Sequence, residues 1–277
     1  MSSNSSQTPL LYFRTYGDNG QLVFVLHGGP GAPGYMAPVA RRIAAFARVV
    51  EPFQRRSGDE PLTVRTHILD LHHLISTEAD AAPSVIIGHS WGAMLALAYA
   101  AEYPASVSRL VLIGCGTFDP ASRERLQEIR TERMTPAVLE RQARLLKRFP
   151  KPDDRLRAMG SLNQRIDSVR LIPHRDETAA FDTRGHEETW GDMLRLQAEN
   201  LYPAAFASIR APVLMIHGED DPHPGPMIRD CLAPHLPNLE YRELARCGHY
   251  PWLELDAADE FQALLRNWLL IQTPAEA

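Results

Sequence analysis

A chain of 277 residues is long enough for one large α/β domain, and its 44% hydrophobic and 23% charged residues are an ordinary globular balance. The formal net charge of −5 supplies neither a basic face for nucleic acid nor a polybasic membrane anchor. Cys115, Cys231 and Cys247 are odd in number and lack metal-ligand spacing, so no disulfide framework is expected and a cytoplasmic location is.

Residues 1–7 are polar and uncharged, without the basic start and apolar stretch of a secretion signal. Nowhere does an apolar run reach the roughly 18 residues that span a bilayer. Apolar runs at residues 22–26, 85–87, 110–113 and 213–216 each end at or just before a turn containing glycine, the mark of strands buried on both faces. A further strand is expected at residues 239–244. Helical spacing appears at residues 38–47, 66–76 and 91–103, the last stopped by Pro104. A terminal amphipathic helix at residues 256–270 takes Asp256 as its N-cap and sets Phe261, Leu264, Leu265 and Leu269 on one face. Strand and helix alternate, which predicts an α/β fold with a mostly parallel sheet covered on both faces.

Residues 118–208 break that rhythm with dense Arg and Glu and helical stretches at 122–132 and 136–149, without a buried-strand run. They read as a helical cap inserted into a core made of residues 1–117 and 209–277.

Gly88-His89-Ser90-Trp91-Gly92 stands where a strand runs in and a helix runs out, the context of a nucleophile elbow. A serine hydroxyl needs a base to take its proton, and the base needs an orienting acid. Downstream, Asp221 follows the strand at 213–216 and His249 follows the strand at 239–244, both beyond carboxyl ends where open α/β sheets build sites. Glu219 and Asp220 adjoin Asp221 and remain alternatives; Pro222 pushes Asp221 towards an extended conformation. An oxyanion needs backbone N–H donors, expected from Trp91 and from Gly29 rather than Gly28 in the loop after the first strand. His27 and His89 are expected to brace turns, His72 and His73 to lie on a helix, and His217 and His223 to flank the acid loop. Cys247 reads as a small packed hydrophobe. No metal and no cofactor are expected, since His223 has no visible partners for one.

These features, in this order, resemble the α/β-hydrolase family over nearly the whole chain. His27-Gly28-Gly29-Pro30-Gly31 and Ser90-Trp91-Gly92 are similar to the proline iminopeptidase group. The resemblance implies Ser90 as nucleophile, Asp221, three residues after Gly218, as acid, and His249 as base. It also implies recognition of a free amino terminus by acids near the cap, for which Glu187 and Glu188 beside Trp190 are the candidates. Phe53-Gln54-Arg55-Arg56-Ser57-Gly58 departs from the Asp-Gln-Arg-Gly of that group, and His89 replaces a common glycine. The expected substrate is a small molecule or short peptide with an ester or amide bond. A small-molecule carboxylesterase and a non-catalytic receptor on the same fold are the alternatives.

Overall fold

A computed structural model describes residues 11–80 and 82–270, so the expectation for residues 1–7 lies outside the described chain. Strands β1 (Phe13–Tyr16), β2 (Gln21–Leu26), β3 (Ala47–Pro52), β4 (Ser84–His89), β5 (Val107–Ile113), β6 (Val213–Gly218) and β7 (Leu239–Leu244) form one sheet in the order β1-β3-β2-β4-β5-β6-β7. Only the β1–β3 pair is antiparallel; every other neighbouring pair is parallel.

Alternation along the strands divides the core. Phe24, Ile86, Leu112 and Met215 pack on one face with α2 (Val64–Glu78), α3 (Trp91–Glu102) and α8 (Gly225–Leu232). Val25, Ile87, Val111 and Ile216 pack on the other with α1 (Ala37–Ile43) and α9 (Ala258–Leu270). Helices on both faces explain why β4 and β6 are buried along their whole length and read as continuous apolar runs.

Three local expectations are corrected. The helix expected at 38–47 ends at Ile43, and Ala47 already belongs to β3. Strands β1 and β3 were not anticipated, because Arg48 and Glu51 interrupt the apolar pattern of β3. Arg48 is drawn off to Glu78, and Glu51 accepts a hydrogen bond from the Tyr16 hydroxyl at 2.7 Å. Asp256 is not the N-cap of α9, which starts at Ala258. Its carboxylate instead lies 3.4 Å from Arg170, while the Glu254 carbonyl accepts from Ala257 and Ala258 at 3.2 and 2.9 Å.

Between β5 and β6 lie α4 (Pro120–Arg133), α5 (Pro136–Arg148), α6 (Pro152–Ile166) and α7 (Thr183–Ala198). The first two match the helical stretches read from the sequence. Asp119, Thr135 and Asp182 cap α4, α5 and α7 by accepting from backbone N–H groups of the first turn. Asp182 also accepts from the Ser57 hydroxyl at 2.8 Å, and Asp192 from the Val64 amide at 2.8 Å, which fastens α7 to the start of α2. Among the described residues no helix is long and apolar enough to cross a membrane.

Candidate active site

The chain leaves β4 and enters α3 through Ser90, whose φ of 54° and ψ of −119° lie where non-glycine residues are strained. The Ser90 amide holds this turn by donating to the Ile113 carbonyl of β5 at 2.9 Å. Both motif glycines answer to space. A Cβ on Gly88 would fall 2.2 Å from the Gly92 carbonyl oxygen, and one on Gly92 would fall 2.4 Å from the Leu26 carbonyl oxygen.

His249 and Asp221 meet after β7 and β6. His249 Nδ1 donates to Asp221 Oδ2 at 2.7 Å, which leaves Nε2 as the nitrogen not bound to the carboxylate. The other Asp221 oxygen accepts from the His223 amide and the His223 ring, each at 2.9 Å. Asp221 is 5% exposed, whereas Glu219 and Asp220 are exposed to solvent. Geometry therefore brings Asp221, not its two neighbours, to His249. Burial by itself would raise the Asp221 carboxyl, but the positive potential of His249 and His223 and their hydrogen bonds hold it well below the usual range. Burial, with His249 alongside, lowers His223 to about 4, and the two rings stack with centroids 4.4 Å apart.

Asp221, His223 and His249 bring donor atoms within 4.8 Å of one another, so His223 does have the metal-capable partners that the sequence did not reveal. Both carboxylate oxygens are nevertheless taken up by ring N–H donors, and a cation would have to displace them. The donor set fits an oriented imidazole better than a metal cage.

The bracing histidines act as expected. His89 Nδ1 accepts from the Tyr35 hydroxyl at 2.6 Å, and its Nε2–H donates to the His249 carbonyl at 2.8 Å. Burial keeps His89 well below its ordinary pKa. Gly28 N–H donates to the same Tyr35 oxygen at 2.7 Å and is thereby used up, while Gly29, with φ +50°, lines the cavity together with Trp91. Gln54 was missed. Its side chain accepts from Trp91 Nε1 and donates to the His27 carbonyl, both at 2.8 Å, so it clamps the elbow to the glycine loop. Cys247 is buried and free, as are Cys115 and the partly buried Cys231 in their own surroundings.

Ser90, His249, Gly29 and Trp91 all line one cavity of about 430 Å³, within the ordinary range for small-molecule sites. Its roof comes from the helices between β5 and β6, including Arg123, Leu126 and Arg130 of α4 and Trp190 of α7. Glu187 and Glu188 do not reach it. Glu188 accepts from the Leu62 amide at 2.9 Å and from Arg184 at 2.6 Å, and Glu187 borders a separate surface hollow with Arg56 and Lys151. Trp190 lies inside, and the acids that border the cavity are Asp167, Asp176 and Glu177.

A family model described as alpha/beta hydrolase fold matches residues 21–254. A 2-hydroxy-6-oxononadienedioate/2-hydroxy-6-oxononatrienedioate hydrolase of Paraburkholderia phymatum is 28% identical, over 92% of this chain and 90% of that protein. A proline iminopeptidase of Lactobacillus helveticus is 27% identical over 93% of both chains. Among solved structures, a serine hydrolase from Cycloclasticus zankles superposes with a TM-score of 0.65 at 17% identity over 95% of each chain. The enol-lactonase from Burkholderia xenovorans gives 0.63 at 20% identity, covering 94% of this chain and 96% of that one. The last two likenesses concern the fold.

Proposed function

Because the chain belongs to the α/β-hydrolase fold family, we propose that it is a serine hydrolase that cleaves an ester or amide bond of a small molecule through an acyl-enzyme. The observation that carries this reading is the 2.7 Å bond from His249 to a buried Asp221, beside a cavity that Ser90 also lines. In the proposed cycle His249 Nε2 takes the Ser90 proton as Oγ attacks the carbonyl. Asp221 keeps the ring in the Nδ1–H tautomer and stabilises its charged form. The amides of Gly29 and Trp91 receive the oxyanion; Gly28 has already given its N–H to Tyr35. His249 then protonates the leaving group, the C–O or C–N bond breaks, and water repeats the sequence on the acyl-enzyme. In this reading residues 118–208 form a cap that closes the cavity and selects what enters it.

Ester-like small molecules are favoured over peptides with a free amino terminus. Glu187 and Glu188, the acids implied for an ammonium group, are turned away from the cavity. The name of the Paraburkholderia relative describes a dicarboxylate substrate, and that of the Lactobacillus relative a peptide. A fluorophosphonate probe should label the wild-type chain and not Ser90→Ala, and the same substitution should abolish hydrolysis of 4-nitrophenyl esters. Labelling that persists without Ser90 overturns the mechanism, and activity on proline naphthylamide alone overturns the substrate preference.

A further inference from the structure

One face of α4 borders the cavity with Arg123, Leu126, Gln127 and Arg130, spaced by three, four and seven residues along a single stripe. Both arginines keep a buried Nε–H that has no hydrogen-bond partner. Their charges are treated differently. Arg130 is neutralised by Asp167, with a terminal nitrogen 2.7 Å from Oδ2. Arg123 reaches only the amide oxygen of Gln197, and among the described residues no carboxylate pairs with it. Gln197 is itself fixed, donating to the Thr117 carbonyl at 3.1 Å, so it aims the guanidinium without compensating it.

The acids that border the cavity have partners other than Arg123. Asp167 serves Arg130, Glu177 is held by Arg41, and Asp176 accepts from the Thr178 amide at 2.9 Å. A half-buried guanidinium with no counter-charge is costly unless something supplies both an acceptor and a negative charge. A carboxylate supplies both, and matches the planar fork of an arginine.

We propose that Arg123 anchors a carboxylate carried by the substrate of this cavity, so that the natural substrate is an anionic acid derivative with its scissile bond elsewhere in the molecule. This deepens the hydrolytic reading of Ser90 and rests on it. Arg123 and Arg130 stand about 10 Å apart along the helix. The anchor is therefore a single point, and the reach from carboxylate to scissile bond becomes a selectable length.

The test compares mono-4-nitrophenyl esters of succinic, glutaric and adipic acids with the 4-nitrophenyl esters of butyric, valeric and hexanoic acids. At least one carboxylated ester should exceed its neutral counterpart in kcat/KM by about ten- to hundredfold, the range of a charge-assisted hydrogen bond. Arg123→Gln should bring that ratio to within about twofold of unity. Because the ratio is taken on one preparation, the folded fraction cancels. Calorimetry on Ser90→Ala with monomethyl against dimethyl adipate provides an arm that needs no turnover; its preference for the monoester should vanish when Arg123→Gln is added. Equal treatment of charged and neutral esters throughout, or a preference that survives Arg123→Gln, overturns the anchor. If the chain turns over no ester and Ser90 resists the probe, the hydrolytic reading falls, and the calorimetric arm still decides on Arg123.

Discussion

Two imidazoles share the Asp221 carboxylate, one on each oxygen, and together they hold it well below the usual carboxyl range. Its role belongs to the single residue and is tested there. Asp221→Asn should lower kcat by about 10³–10⁴, the loss expected when an imidazole is left in the wrong tautomer. Asp220→Asn, altering an exposed side chain, should leave kcat within about twofold, well inside the scatter of neutral surface changes. Initial rates on a 4-nitrophenyl ester measure both, and equal losses would remove Asp221 from its assigned place. The sequence left three adjacent acids as candidates because side-chain direction in a turn depends on where the backbone bonds go. Here Asp221 N–H closes a local turn onto the Gly218 carbonyl, but Asp220 N–H goes to the Cys247 carbonyl, a contact that exists only once β6 and β7 are paired. Ser90 was easier to read, since its signal was local. Arg123 was invisible, being one of many arginines on a polar helix whose cavity-facing side is set by packing.

At the scale of elements, close approach decides what a glycine does. Gly92→Ala pushes a Cβ towards the Leu26 carbonyl of β2, a backbone atom that cannot step aside. The expected loss is about 1–3 kcal/mol, a cost typical of overpacking. A melting temperature lower by several degrees, at about 2–4 °C per kcal/mol, is the readout. Gly191 is the counter-case. It lies exposed inside α7 with no heavy atom within 4 Å of a built Cβ. Gly191→Ala should therefore stabilise by about 0.5–1 kcal/mol, and a lower melting temperature would contradict that reading of α7. Elements buried on both faces were legible because burial forces an apolar run. β3 was not, because Arg48 and Glu51 find their partners, Glu78 and Tyr16, at a distance in the chain that no local pattern encodes.

For the whole molecule, two buried carboxyls tilt stability in opposite directions with pH. Burial raises Glu51 to about 7 from 4.5, although Tyr16 and Arg14 oppose the rise. Its contribution is thus fully present below pH 4.5 and is lost as pH climbs through about 7, by up to about 3 kcal/mol. Glu51→Gln should flatten that decline in urea unfolding measured across this window, and an unchanged slope would remove Glu51 as its source. Asp221 acts the other way, adding stability above the ordinary carboxyl range and losing it as acid protonates the folded state. The alternation of strand and helix was readable from rhythm alone, but the way the sheet depends on the helices between β5 and β6 was not. The amide of His249 donates to the carbonyl of Asp167 at 2.7 Å, and Asp167 closes the end of α6, between β5 and β6. A Cβ on the adjacent Gly248 would sit 2.2 Å from that same oxygen, so no spacer fits between them. In the proposed reading, residues 118–208 are consequently not a cap that can be exchanged for a relative's to reprogram selectivity alone. A chimera whose graft fails to bring a carbonyl to this point would let the histidine loop drift, and would surrender turnover along with the old preference.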